Sequence, residues 1–283
     1  MNIRRLGISF FYLVTSLAFP CYGQQMESSS VQILVRQLED PEGRIRSDVF
    51  YRLLELGRAN LEPPRALSRL LEKWPEQSDE IKLALFKLLE RENEVTKERE
   101  TVVLEQFRKK GPDVPHPFPD AEERTEYYAD LVWTVVSLKD QRCINALIGA
   151  IQTGNMVMRT LAEFGTAALD PVIQQLNSSD VLQRSASARV LLLMLEPNSF
   201  QKVSDSVSRQ KIKQALITAA RDESHYVRLK GIDGLAKLGD ADMIPLIQKI
   251  AIDDPYEGAE FVAAERGTYP VREAARQALK KLK

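Results

Sequence analysis

The feature that most constrains the fold is a repeat centred on a basic residue. Apolar residues recur one position before this anchor and four and seven positions after it in most copies. Because an α-helix advances about 100° per residue, these offsets fall on one side of a helix. The apolar arc is broad, which indicates helices covered on more than one side. Five segments carry the pattern, with anchors at Arg46, Lys82, Arg184, Arg228 and Arg272.

A shorter apolar segment precedes each anchored helix, and a tight turn joins the two. Two copies end in Leu-Gly, at Gly57 and Gly239, where glycine favours a helix stop. No stretch alternates with period two, so we expect no β-sheet. The pattern predicts an all-α fold, an α-solenoid of antiparallel helix pairs. The preceding segments lie at 31–39, 64–73, 167–176, 211–220 and 241–251.

The acidic residues near the anchors indicate how each turn is held. Asp40, Glu76 and Asp222 each stand six positions before an anchor. A helix cation paired with an acid in its own turn would form a charge-assisted bond that fixes the corner between the helices. We therefore expect a structural role for the repeat arginines rather than a catalytic one.

The C-terminal copies resemble a known repeat family. Residues 222–240 and 269–279 resemble a HEAT repeat of the bacterial subtype first noted in phycobilin lyases. The resemblance is strongest over 208–283 and is absent over 93–140. It implies a superhelix with a ridged convex face and a concave inner face. It also implies binding of another protein rather than catalysis.

The first 23 residues have the layout of a secretory signal peptide. Arg4 and Arg5 precede an apolar stretch from Leu6 to Phe19, and Pro20 is expected to break the helix. Small residues at Cys21 and Gly23 predict cleavage after Gly23. We expect export through the general route to the periplasm or beyond, without stable membrane insertion afterwards. An uncleaved N-terminal anchor is the alternative.

The remaining chain is expected to contain two helical arrays. Residues 24–110 form an N-terminal HEAT-like lobe, and 111–120 form a Pro-rich hinge or loop. Residues 121–283 form a C-terminal array with a loop inserted at 253–268. The pattern leaves open whether these make one superhelix or two hinged lobes.

The sequence contains few signs of a catalytic, metal-binding or nucleic-acid-binding site. Lys and Arg number 39 and Asp and Glu 40, and this net charge of −1 argues against nucleic-acid binding. The two histidines, His116 and His225, lie in no metal-spaced pair. We expect no metal, no cofactor and no enzymatic activity. Cys143 has a helical context and is expected to be a buried small hydrophobe.

The candidate binding residues face away from the apolar arc. Five positions after each anchor, no copy has an aliphatic residue. This column is expected to line the concave groove and bind a protein or peptide. The alternative is that it is only solvated. The candidates are Tyr51, Lys87, Arg189, Asp233 and Gln277, with Lys237 nine positions after its anchor, and Tyr256, Phe261 and Arg266 in the inserted loop.

These observations favour an exported scaffold or adaptor. A lyase-like or substrate-holding accessory factor is the alternative that the repeat subtype suggests. A purely structural spacer in an envelope complex is the third hypothesis.

Overall fold

The computed structural model describes residues 20–58, 60–110, 116–196, 203–258 and 269–282, and every regular element within these ranges is helical. Short 3₁₀ turns precede or follow several of the α-helices. The α-helices are α1 (Pro20–Gln37), α2 (Gly43–Arg58), α3 (Pro63–Lys73), α4 (Ser78–Lys110), α5 (Ala121–Ser137), α6 (Ile144–Gly149), α7 (Asn155–Glu163), α8 (Thr166–Gln174), α9 (Val181–Met194), α10 (Ser206–Ala219), α11 (His225–Leu238), α12 (Ile244–Asp253) and α13 (Pro270–Lys281).

The helices pack in two layers. In the first layer α1, α4, α6, α8 and α10 contact one another in that order. In the second layer the order is α2, α3, α5, α7, α9, α11 and α13. Each first-layer helix also contacts the second-layer helix that follows it, and α12 packs on α13. This stack of helix pairs confirms the predicted all-α solenoid.

The second copy of the sequence repeat is misaligned. The alignment pairs 64–73 with the helix of Lys82. In the structure α3 packs on α2 and α5 in the second layer, whereas α4 packs on α1, α5 and α6. The partner of α4 is therefore α5, which lies in the segment without resemblance to the repeat. Lys82 is consequently not equivalent to the repeat arginines.

One continuous core runs through the stack. Its buried residues extend from Val31 near the N-terminus to Ala278 near the C-terminus. The leucine seven positions after the anchor is fully buried in α2, α9 and α11, as Leu53, Leu191 and Leu235. Side chains at this spacing cover one stripe of each helix, so the periodicity correctly located the face that packs between neighbours.

The described end of the Pro-rich segment is held against α4. The Arg99 guanidinium lies 4.1 Å from the centre of the Phe118 ring. Its Nη1 donates to Oδ2 of Asp120 at 3.0 Å, and this bond lowers the pKa of Asp120. Asp120 directly precedes α5, which packs on both α3 and α4. Residues 111–115 lie outside the described ranges.

The first described helix crosses the predicted cleavage site. Its described part runs from Pro20 to Gln37. Whether Pro20 breaks the apolar helix expected before it stays a prediction. Residues 1–19 lie outside the described ranges, and side chains are described from Ser29 onward.

The two Leu-Gly glycines differ in role. Gly239 has a φ of 74° and caps α11, which confirms a helix stop. Gly57 lies inside α2, which continues to Arg58. A Cβ at Gly57 would overlap the carbonyl oxygen of Ala66 in α3. Gly57 therefore permits the close approach of two helices rather than ending one.

The repeat arginines bind two kinds of acceptor. Nη1 of Arg228 donates to the carbonyl oxygens of Asp222 and Glu223, at 2.9 and 2.8 Å, in the turn before its own helix. Its Nε and Nη2 donate to the carboxylate of Asp254 in the next repeat, at 2.7 and 3.1 Å. Nε of Arg272 then donates to the carbonyl oxygen of Asp254. The guanidinium of Arg228 thus joins its own turn to the following repeat, whereas among the described residues Arg272 in the last repeat bonds only the turn before its own helix.

The same arrangement recurs at Arg184. Its Nη1 donates to the carbonyl oxygens of Ser178 and Ser179, and its Nε and Nη2 donate to the carboxylate of Asp222, at 2.8 and 3.1 Å. The acid in an arginine's own turn is therefore not its partner. The turn supplies carbonyls left unpaired at the end of a helix, and its carboxylate reaches back to the preceding arginine. We call this series of contacts the arginine ladder.

The arginine ladder predicts strong coupling between Arg228 and Asp254. Arg228→Met should lower the free energy of unfolding by about 3 kcal/mol, because it leaves the buried Asp254 carboxylate unpaired. In a double-mutant cycle with Asp254→Asn, measured by chemical denaturation, the two substitutions should be coupled by about 1–3 kcal/mol. Arg276→Met removes a half-exposed ion pair with Glu273 and should cost under about 0.5 kcal/mol. Additive losses at Arg228 and Asp254 would contradict the ladder.

Candidate functional site

Most of the predicted groove residues lie in the second layer. Arg189 lies on α9, Asp233 and Lys237 on α11, and Gln277 on α13. These three helices pack on one another in succession. Asp233, Lys237 and Gln277 are exposed, and Arg189 is half-buried. The structure therefore places four of the predicted residues on adjacent helices of one layer.

Glu196 extends this surface to α7. It follows α9, and its Oε1 lies 3.8 Å from Nζ of Lys237 on α11. Its Oε2 lies 3.6 Å from Nη1 of Arg159 on α7. Arg159 was missed because α7 contains no basic anchor with which to align the repeat. Glu196 was missed because it lies beyond the end of α9, outside the aligned positions. The only sequence signal was the helix end at Phe164-Gly165, and Gly165 has a φ of 61°.

Tyr51 marks the other end of the layer. Its hydroxyl donates to Oδ2 of Asp130 on α5 at 3.0 Å. Burial, and secondly the Asp130 carboxylate, raise the pKa of Tyr51, so the hydroxyl remains a donor at neutral pH. Trp133 lies one turn beyond Asp130 and is 37% exposed. Both α5 residues fall in the segment where the repeat pattern fails, so the pattern could not identify them.

We define the second-layer column as the residues just described. They combine two partly exposed aromatic rings with charges of both signs, and several are already paired between neighbouring helices. The column comprises Tyr51, Asp130, Trp133, Arg159, Arg189, Glu196, Asp233, Lys237 and Gln277.

Lys87 stands apart from this column. It lies on α4 in the first layer, and its Nζ is 3.5 Å from Oε1 of Glu39, just beyond α1. Its predicted place in the groove depended on the misaligned second copy of the repeat. In the second layer, α5 occupies the corresponding place.

The inserted loop is described only at its start. The ring of Tyr256 stacks on His225 with centroids 3.6 Å apart, and Tyr256 is half-buried. Asp254 belongs to the arginine ladder, a role that its sequence position did not reveal. The other two loop candidates, Phe261 and Arg266, lie outside the described residues.

A groove opens in the first layer between α8 and α10. Its volume is about 660 Å³, and its lining is mostly apolar, with Ile173, Val207 and Ala215 among the residues. An ion pair between Lys211 and Asp170, at 2.8 Å, joins the two helices across it. The sequence pattern did not indicate this groove.

Two kinds of site are absent from the part of the chain that the structure describes. Within it, no cluster of three or more His, Cys, Asp or Glu side chains is placed to hold a metal ion. None of its helices combines the length and apolarity that crossing a bilayer requires.

Comparisons with known proteins give a distant structural likeness. No protein-family model and no curated protein matches the chain. A designed armadillo repeat protein for modular peptide recognition aligns with a TM-score of 0.42 and 13% identity, covering 89% of this chain and 100% of that one. Another, in complex with the peptide (KR)4, has a TM-score of 0.40 and 14% identity, covering 89% and 99%. At these scores the likeness decides neither family nor function, and the fold rests on the helix packing described above.

Cys143 is fully buried, which confirms its expected role as a small hydrophobe. Burial raises the pKa of the Cys143 thiol to about 12. At pH 8 the folded protein should therefore hold far less thiolate than a thiol with the ordinary pKa.

The burial of Cys143 predicts slow alkylation. With Cys21 replaced by Ser, Cys143 is the one cysteine in the chain. Iodoacetamide at pH 8 should modify it rapidly in denaturant and very slowly in buffer, because only the unfolded chain exposes a thiolate. Mass spectrometry over time measures both rates. Equal rates in the two conditions would contradict the buried position.

Proposed function

We propose that this protein is a HEAT-like scaffold that binds a protein or peptide along the second-layer column and catalyses no reaction itself. The column is the observation that supports this. It presents aromatic, charged and polar side chains on the second-layer helices α2, α5, α7, α9, α11 and α13, from Tyr51 to Gln277.

The chemistry of the column suits a polypeptide. Trp133 offers an amphipathic ring of the kind enriched at the centres of protein interfaces. Arg159 and Lys237 flank Glu196, so both signs of charge alternate along the surface. A side chain or backbone amide of a bound peptide could take the place of one partner in these weak, partly exposed ion pairs. A nucleic acid would instead require clustered Lys and Arg.

The arginine ladder supports the HEAT-like assignment. The spacing of five and six residues between the guanidinium and its turn carbonyls is the same at Arg46, Arg184 and Arg228. These are the positions on which the sequence resemblance was aligned. We therefore assign the chain to HEAT-like repeats as part of the proposal.

Export is the second part of the proposal. It is supported by the leader layout of residues 1–23. Cleavage after Gly23 would remove only the first described residues of α1. Among the side chains described in α1, the first that is buried is Val31. The processed protein should therefore keep the first helix pair.

Cell fractionation and N-terminal sequencing test the export proposal. The mature protein should begin at Gln24 and lie outside the cytosol. A cytosolic protein with Met1 or Asn2 at its N-terminus would contradict it.

The binding proposal predicts that Trp133→Ala weakens partner binding by about tenfold or more, because an exposed interface aromatic is lost without disturbing the core. The partner is first captured from the native cell envelope with the wild-type protein, and its affinity for purified variants is then measured by calorimetry. Phe107→Ala, at an equally exposed position near the end of α4, is the matched control and should bind normally.

Two results would contradict this proposal. One is equal affinity for the Trp133 and Phe107 variants. The other is capture of no partner together with a measurable turnover by the purified protein.

The groove between α8 and α10 favours one alternative, a substrate-holding accessory factor. Its apolar lining would suit a small hydrophobic or chromophoric molecule. In that case the purified protein should carry a bound compound with visible or near-ultraviolet absorbance, which Val207→Asp would remove. Protein that is free of such a compound and binds none on addition would dismiss this alternative.

A further inference from the structure

Charge is divided unevenly along the second-layer column. The column runs from α2 and α5 at one end to α11 and α13 at the other, in the order in which these helices pack. On the side of the helices that carries the column, the charges beside Tyr51 are mainly acidic, whereas those from α7 to α13 are mainly basic. We call these two parts the acidic section and the basic section.

The acidic section surrounds Tyr51 with carboxylates from two helices. Asp48 and Glu55 lie three positions before and four positions after Tyr51 on α2, so they are neighbours on the same face. Asp130 and Glu126 approach from α5. Burial, then Asp130 and then Glu126 raise the pKa of Tyr51, so both carboxylates act on its hydroxyl.

The exposed cations of α2 stand apart from this cluster. Arg52 directly follows Tyr51, and the helical advance of about 100° per residue turns it to the adjoining face. Arg44 and Arg58 share the face of Tyr51 but lie seven positions away, at the two ends of the helix. The potential at the level of Tyr51 is therefore set mainly by the carboxylates.

The basic section has more cations than acids among its described residues. On α9, α11 and α13 the positions two, five and nine after the anchor lie opposite the apolar arc. Glu163 on α7 is already paired with Lys139 at 2.6 Å, and Glu273 on α13 with Arg276. The cations that remain are Arg159, Arg189, Lys230, Lys237 and Lys281, and the acids are Glu196 and Asp233.

Each section also has two large apolar side chains exposed to solvent. In the acidic section these are Tyr51 and Trp133. In the basic section they are Leu182 on α9 and Tyr226 on α11, which are 59% and 46% exposed. Both stand two positions before their anchors, on the same side of the helix as the column. Because α9 and α11 pack on each other, the two side chains occupy equivalent places on adjacent helices.

We propose that the column binds a polypeptide segment whose own charge is divided, with a cationic stretch on the acidic section and an anionic stretch on the basic section. A segment of uniform sign would meet like charge at one end, which complementary potentials avoid. Apolar side chains of the segment pack on Tyr51 and Trp133 at one end and on Leu182 and Tyr226 at the other. This inference rests on the proposed function, because it specifies the partner of the same surface.

The spacing of the helices sets the separation of the two stretches. Packed helices lie about 8–10 Å apart, and α7 lies between α5 and α9. The helices that carry Asp130 and Arg189 are therefore separated by about 20 Å, a distance that about six extended residues span. The cationic and anionic stretches should accordingly be centred about six residues apart in the partner.

A block peptide of this design tests the proposal. It is capped and contains a block of lysines and a block of glutamates at that separation, with a leucine in each block. The comparator has the same residues with lysine and glutamate alternating. Both are titrated into the full chain by calorimetry at low ionic strength, and the block peptide is made in both block orders. The better order should bind at least about tenfold tighter than the alternating peptide. Equal affinities, or no binding by any of the peptides, would overturn the proposal.

Charge reversal locates the binding. Glu126→Lys in the acidic section and Arg189→Glu in the basic section should each weaken binding of the block peptide by about fivefold or more. Glu94→Lys and Arg108→Glu, at exposed positions of α4 in the first layer, are the matched controls and should not. Equal affinities for the section variants and the α4 variants would overturn the proposal.

This inference and the proposed function fail in different ways. The same four variants are measured with the partner captured from the cell envelope, beside Trp133→Ala. A partner whose affinity depends on Trp133 but is unchanged in Glu126→Lys and Arg189→Glu would overturn the charge division and leave the proposed function standing. Weakening in all three column variants, with normal binding by both α4 controls, is the result that the charge division predicts.

Discussion

The contact between a buried guanidinium and the carboxylate of the following repeat is the constraint on which the stack depends. Apolar side chains fill the faces between the helices, but hydrophobic contacts have no preferred direction. They therefore do not by themselves fix the position of one helix along another. The guanidinium of Arg184 or Arg228 has fixed donor directions, and it bonds its own turn and the next repeat at once. Each pair is therefore held at a defined position relative to its neighbour.

This fixed relation between repeats is what would make the proposed binding surface continuous. The second-layer column spans α2 to α13, and the contacts between its helices need successive helices to keep their relative positions. Glu196 illustrates this, since it contacts Arg159 from one helix and Lys237 from another. In the proposed function the arginines would affect partner binding indirectly, by positioning the helices that carry the column.

The sequence predicted the helices that carry a regular anchor and failed where the anchor was absent or misleading. Leu53, Leu191 and Leu235 are buried as their spacing required, because packing in a repeat is local and periodic. Lys82 has the spacing of an anchor, although α4 belongs to the first layer and the other anchored helices belong to the second. The periodicity of apolar residues does not show to which layer a helix belongs. The pairing of Arg228 with Asp254 was also hidden, because it joins residues brought together only by stacking.

Hydrogen exchange on the Asp222→Asn variant tests most directly whether the ladder couples neighbouring repeats. Asp222 accepts from Arg184, and its turn also holds Arg228. Faster amide exchange should therefore appear in both α9 and α11, while α2 and α3 at the distant end keep their wild-type protection. Faster exchange confined to the 221–224 turn would show that the repeats are held by apolar packing alone and would contradict the account.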